Sequence, residues 1–240
     1  EQCAVMDEIV QIADTQKIDV VVIAGDLFDN FTPNTDAIEL FYKTLKRLSL
    51  QGKRPVIAIS GNHDAPKLID APDPLARECG IFLIGQPFAQ VTPIETENFS
   101  ISHSSEGFIE LSLAQYPYPL RIIHTAYANE PRLKQELEGD KQLSINQFLS
   151  DRWQHLANTY CDPKGVNILM THLFMNPKQG APLEEPDGER PIRIGNADMI
   201  YTDIVPSQIQ YTALGHLHGF KNIGNEEKPI IYASSPLCYS

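Results

Sequence analysis

The sequence predicts an α/β domain, and two observations carry that prediction. Short apolar runs rich in β-branched residues alternate along the chain with stretches of helical periodicity, the pattern of layered α/β folds. The chain has 240 residues, 42% hydrophobic and 21% charged, which is enough to bury one substantial core and matches an ordinary globular domain.

Taken in order, Val5, Ile9, Ile12 and Ala13 recur at helical spacing in the opening segment. Ile18 to Ala24 then reads as a strand. From Asn34 to Leu50 a stripe of Ile38, Phe41, Leu45 and Leu48 predicts a second helix, stopped by Gly52. Further strands are expected over Val56 to Ser60, Ile81 to Ile84, Val166 to Thr171 and Gln210 to Leu214. Ser144 and Gln147 fit a capping box that opens a helix carrying Phe148, Leu149, Trp153, Leu156 and Tyr160. Pro117, Pro119 and Pro131 interrupt the region after Leu113, and Asn176 to Pro191 reads as a long polar loop.

Composition removes several classes of function. No apolar run approaches the roughly 20 residues of a membrane helix, and the first seven residues do not read as a secretory signal, so no membrane association and a cytoplasmic location are expected. The cysteines, Cys3, Cys79, Cys161 and Cys238, form no CxxC pair, which excludes a zinc knuckle or a dense disulfide framework. A formal net charge of −12 excludes broad electrostatic capture of nucleic acid. Were DNA the substrate, metal ions or a partner would have to supply positive charge.

The chemistry lies where the strands end. Asp26 follows the first strand in Gly25-Asp26-Leu27-Phe28-Asp29; Asn62, His63 and Asp64 follow the second in Gly61-Asn62-His63-Asp64. His172 closes the run from Val166, and His216 and His218 follow another strand in Gly215-His216-Leu217-His218. Carboxyl ends of strands are where ligand sites assemble in α/β sheets, and the glycines before three of these turns permit tight or left-handed backbone. Singly each motif is weak: a Gly-Asp pair is more often a turn, and a lone histidine more often a core or surface residue. Together they offer carboxylate, amide and imidazole donors without thiolate, a set suited to manganese, iron or zinc. Asp26 is the candidate bridge between two ions, and displacement at phosphorus is the chemistry implied. His63 is cast as a general acid that binds no metal, with Asp29 orienting its ring. Asp64 either orients His63 or caps the following turn. His103, His124 and His155 are read as core or surface residues, and Lys67, Arg77, Arg190 and Arg193 as solvated cations.

These motifs, in this order, resemble the calcineurin-like metallophosphoesterases, and within them the SbcD-type nucleases. The closer likeness rests on Gly25 to Asp29, Tyr116-Pro117-Tyr118-Pro119, Thr171-His172-Leu173-Phe174, Glu189-Arg190-Pro191, Ala213 to His218 and Ser234-Ser235-Pro236-Leu237, which span nearly the whole chain. The resemblance implies a four-layer α/β/β/α sandwich and metal-dependent cleavage of DNA phosphodiester bonds at ends or hairpins, in repair and recombination. It also implies two divalent ions, manganese foremost with magnesium, iron or zinc as alternatives, an SbcC-like ATPase partner, and a homodimer in the full-length protein. By position, Asp26 would bridge the ions, Asn62, His172 and His216 would complete one site, and His218 would serve the other.

One departure stands out: the Asp-x-His motif that opens family members is absent before Asp26. The expectation is therefore a nuclease domain over residues 1–240 that lacks its first strand and the segment following the Ser-Ser-Pro turn, binding one ion well and the second poorly. Two other readings stay open: a phosphoesterase acting on nucleotides, cyclic nucleotides or phosphoproteins, and a catalytically silent scaffold.

Overall fold

The computed structural model describes residues 1–134, 139–178, 183 and 199–237. Helix α1 (Gln2–Thr15) leads into strand β1 (Val21–Ala24), helix α2 (Thr35–Leu48) into β2 (Val56–Ile59), and the short helices α3 (Pro66–Asp70) and α4 (Asp73–Ala76) into β3 (Ile81–Ile84). These three strands form one parallel sheet in the order β1-β2-β3. Strands β4 (Ile94–Glu95), β5 (Phe99–Ser105), β6 (Phe108–Leu113) and β7 (Leu120–Thr125) follow as an antiparallel meander. After helices α5 (Glu130–Leu133) and α6 (Lys141–Tyr160) come β8 (Val166–His172), β9 (Met175–Asn176), β10 (Ile200–Tyr201), β11 (Tyr211–Gly215), β12 (Lys221–Asn222) and β13 (Ile230–Tyr232). The second sheet runs β12-β13-β11-β8-β7-β6-β5-β4, with β7, β8, β11 and β13 mutually parallel.

The side-chain alternation of β2 explains the layering. Val56 and Ala58 face a cluster with Val10, Ala13, Leu45 and Leu48 of α1 and α2, whereas Ile57 and Ile59 face one with Ile109, Ile122 and Met170 of the second sheet. Both faces are covered, so the strand reads as an unbroken apolar run. The other face of the second sheet, with Phe108, Ile123 and Leu169, packs on Ile145, Leu149 and Trp153 of α6. The order of layers is thus α/β/β/α, as expected. Trp153, fully buried, donates its indole N–H to Thr125 Oγ1 at 2.9 Å, which satisfies the only polar group it brings into the core.

Several boundaries differ from the sequence reading, among them those of β2 (to Ile59), β8 (to His172) and β11 (Tyr211–Gly215), each by one residue. Helix α6 starts at Lys141 and not at Ser144, because the Asp140 carboxylate accepts from the Gln142 and Leu143 N–H groups and caps a turn earlier. Helix α2 ends at Leu48: Ser49 O accepts from the N–H groups of Gly52, Lys53 and Arg54, and Leu50 and Gln51 already turn left-handed. Ile18 donates its N–H to Ala13 O in the turn that follows α1, and β1 begins at Val21. Pro131 sits in the first turn of α5, where a missing N–H costs nothing. In the expected Asn176 to Pro191 loop, Asn176 is paired in β9, while Glu189, Arg190 and Pro191, with Arg193 beyond them, lie outside the described residues.

Candidate metal centre

Strands β1, β2, β7, β8 and β11 all point their carboxyl ends to one edge of the sandwich, where β1 of the first sheet lies against β8 and β11 of the second. The turns leaving those ends carry the residues singled out in the sequence. Three glycines make the approach possible by lacking a side chain. A Cβ on Gly215 would stand 1.8 Å from Ala24 O, and one on Gly61 would stand 2.1 Å from Asp26 Oδ1. Only Gly25 among the three is left-handed, at φ 96°; the strained conformations belong instead to Asp26 (φ 49°) and His216 (φ 97°) themselves.

Asp26, His172 and His216 bring one ligand atom each within 4.8 Å of one another. Asn62 Oδ1 sits 2.9 Å from both His172 Nε2 and His216 Nδ1, and Asp26 Oδ2 lies 3.2 Å from His172 Nε2. Four candidate donors from four turns therefore converge.

The tautomer of His172 tests whether a cation fits. Its Nδ1 lies 2.7 Å from Ala24 O, and a carbonyl only accepts, so Nδ1 carries the hydrogen. In the neutral ring, Nε2 then presents a lone pair directly to two oxygens, those of Asn62 and Asp26. Acceptor against acceptor at 2.9 and 3.2 Å is repulsive unless positive charge stands among them. His216 adds a buried Nε2 with no hydrogen-bond partner among the described residues. Two imidazoles, an amide oxygen and a carboxylate are a donor set for a divalent ion, and the Ala24 carbonyl holds the His172 ring as an outer partner holds a histidine that ligates.

The electrostatics agree. Burial pushes the Asp26 carboxyl upward, but positive charge on the facing His172 ring, with the His63 N–H donating to Oδ1 at 3.0 Å, outweighs it and holds the group well below the usual carboxylate range; with that ring neutral, the same part falls to a cation between the two. His216 is pulled down to about 3, chiefly by burial and next by His172, so its ring is neutral and able to ligate near neutral pH.

His63 is half-buried at the rim. Its Nδ1 lies 3.0 Å from the Asp29 main-chain oxygen, so the carbonyl of Asp29, and not its exposed carboxylate, orients the ring. Asp64 is fully buried and does more than either role expected of it: its carboxylate accepts from Gly61 N, Leu27 N and Phe28 N at 2.7, 3.0 and 2.9 Å. It thereby ties the Asp26 turn to the Asn62 turn, while burial raises its pKa against those three bonds. His218 is half-buried and outside the convergent trio; Ser234 Oγ and the Ser235 N–H hold its main-chain oxygen at 2.7 and 2.9 Å.

His103 and His155 are exposed, as the sequence suggested, and Arg77 pairs with Asp73 at 3.5 Å. Two residues near the centre gave no signal in the sequence. Tyr127 places its ring 6.3 Å from those of His172 and His216, and Arg132 lies 5.0 Å from the Tyr127 ring. Neither belongs to a recurring spacing, so only folding brings them in.

Among the described residues no helix is long and apolar enough to cross a membrane. The chain is 34% identical, over 245 aligned residues, to the SbcD subunit of the nuclease SbcCD from Bacillus subtilis (strain 168); the match covers all of this chain and 57% of that relative. A solved structure aligns with 96% of this chain and 85% of its own at 13% identity and a TM-score of 0.45, too loose a likeness to bear on the fold. The family model described as calcineurin-like phosphoesterase matches residues 2–220, a span that contains every ligand candidate named above. Given that match and the donor set at the strand ends, the chain belongs to the calcineurin-like phosphoesterases.

Proposed function

We propose that the chain is the nuclease domain of an SbcD-like enzyme that hydrolyses DNA phosphodiester bonds at ends or hairpins, with an SbcC-like ATPase as its partner. The observation that carries the metal-dependent part is the His172 lone pair facing the Asn62 and Asp26 oxygens. The choice of DNA rests on the likeness to the Bacillus subtilis protein. A cytoplasmic location and a homodimeric whole protein are part of the same reading.

Asp26, Asn62, His172 and His216 would hold one divalent ion, and Asp26 with His218 would contribute to a second, manganese being the first candidate. Bound there, such ions polarise a phosphate and lower the pKa of an attacking water. Asp26, kept ionised by its neighbours, is suited to span the two. His63 keeps Nδ1–H on the Asp29 carbonyl, which leaves Nε2 to face the substrate. In the protonated ring, Nε2–H is the proton donor: as water oxygen bonds to phosphorus and the ester bond breaks, that proton goes to the departing oxygen. Phe31 and Phe220, both largely exposed, lie five residues after Asp26 and two after His218, and offer rings on which an unpaired base can stack. Stacking is a means of holding DNA that a chain of net charge −12 does not forfeit.

The acidic charge favours a second reading, a phosphoesterase of small nucleotides. Cleavage of linear and hairpin DNA against bis(p-nitrophenyl) phosphate, each with added manganese, separates the two. We expect both to be cleaved, and His63→Ala to lose about 100-fold or more in rate while still binding manganese. Cleavage of the small diester alone would give the second reading its place.

A further inference from the structure

We propose that Arg132 is a positioning residue of the metal centre, bracketing Asn62 and His63 from outside the ligand set. It rests on the metal-centre reading above.

The guanidinium reaches the Asn62 turn from α5, in a segment also joined to the residue after β2 by the Tyr127 N–H to Ser60 O bond. Nη1–H donates to Gly61 O at 2.8 Å, with Ser60 Oγ at 3.4 Å, and Nη2–H donates to Asp64 O at 2.8 Å. Gly61 and Asp64 flank Asn62 and His63. One planar group therefore fixes both ends of the two-residue span that carries the amide ligand and the proposed acid. The Tyr127 ring lies under the guanidinium at 5.0 Å, and Asn129 Oδ1 accepts the Arg132 N–H at 3.0 Å, so the side chain is braced on its own element.

Spacing explains why an arginine is needed. Two carbonyls three residues apart match the fork of a guanidinium, whereas a lysine ammonium is a single point that cannot hold both in a fixed plane. The Asp64 carboxylate grips the same turn through Gly61 N, so the span is held by its N–H groups from within and by its carbonyls from without. Loss of the outer grip frees Asn62 Oδ1 to leave the two histidine nitrogens it now meets at 2.9 Å.

The test compares Arg132→Ala and Arg132→Lys with Arg121→Ala, whose arginine is also hydrogen-bonded through its guanidinium, but in an ion-pair network with Glu110 and Asp162 at the opposite end of β7. Manganese affinity is read by calorimetry, folding by circular dichroism and Tm, and turnover on bis(p-nitrophenyl) phosphate. Both Arg132 variants should weaken manganese binding by about tenfold or more, the loss typical of partners that orient ligands. Free guanidinium, but not ammonium, should restore part of that affinity to Arg132→Ala. Arg121→Ala should lower Tm and leave manganese affinity unchanged. If Arg132→Ala does not fold, Arg132→Lys, which keeps charge and most of the bulk, carries the same comparison.

Parent-like manganese affinity in the folded Arg132 variants would overturn the proposal, as would losses that follow Tm and ignore guanidinium. A parent chain that binds manganese and cleaves no diester would refute the phosphodiesterase reading alone, with Arg132 still judged by affinity. A parent chain that binds no manganese would overturn both.

Discussion

Neighbouring strands β7 and β8 each carry a buried histidine, and the two could hardly be treated more differently. His172, 1% exposed at the end of β8, has an oxygen beside each ring nitrogen, the Ala24 carbonyl at one and the Asn62 and Asp26 oxygens at the other. His124, fully buried one residue before the end of β7 and paired in register with Met170, has neither nitrogen hydrogen-bonded among the described residues. Burial pulls its pKa down to about 3, so it is neutral and behaves as an apolar filler between the sheets. Burial alone does not mark a functional histidine. What sets His172 apart from His124 is a carbonyl behind its ring and two oxygens in front of it.

The sharpest way to break this contrast is to delete both rings. His172→Ala should weaken manganese binding by about 100-fold or more, since a ligand and its Ala24 anchor go together, whereas His124→Leu should leave it unchanged. Calorimetric titration of the two variants checks this, and equal losses would mean that His172 is no more a ligand than His124. Gly215→Ala should imitate His172→Ala without touching a ligand, because its Cβ would collide with Ala24 O and approach His172 Nδ1 to 2.6 Å.

Next in size is the Asp64 clamp. Asp64→Ala leaves three N–H groups from two turns without their acceptor, and should cost about 3 kcal/mol in urea unfolding while also reducing metal affinity. A loss below about 1 kcal/mol would show that the turns hold without it.

Smaller effects come from His124 itself. Its folded pKa lies near 3, below the ordinary value of 6.5, so the unfolded chain takes up the proton first. Its contribution to stability is complete above about pH 6.5 and is lost as pH falls toward 3, by at most about 1.4 kcal/mol per pH unit. His124→Leu should flatten that part of the stability profile, measured by urea titration from pH 7 to pH 4. Near neutral pH the same substitution should change stability by about 1 kcal/mol or less, because the ring has no hydrogen bond to lose. A larger loss would point to a partner for the imidazole.

Much of the centre was legible because its candidate ligands sit in short motifs at the ends of apolar runs. Val56 to Ile59 and Ile168 to Met170 advertise strands buried on both faces, and polar residues directly after them have few reasons to be there. The meander was harder to see. Strand β5 reads Phe99-Ser100-Ile101-Ser102-His103-Ser104-Ser105, whose apolar alternation stops after three residues, and its ladder shifts register between Ile101 and His103. The start of α6 was misplaced because a capping box at Ser144 competes with an aspartate four residues earlier, and local pattern does not rank them. Arg132 and Tyr127 were invisible in principle, since their work depends on which turn they meet after the chain has folded.

The Asn62 amide meets ring nitrogens that lie 110 and 154 residues further along the chain. Contacts so remote in sequence close late, after the strands that deliver them have been paired. On the proposed reading, capture of a divalent ion would then be a late event of assembly that waits until His216 has been synthesised and seated, and its retention would report that both halves of the sandwich have met.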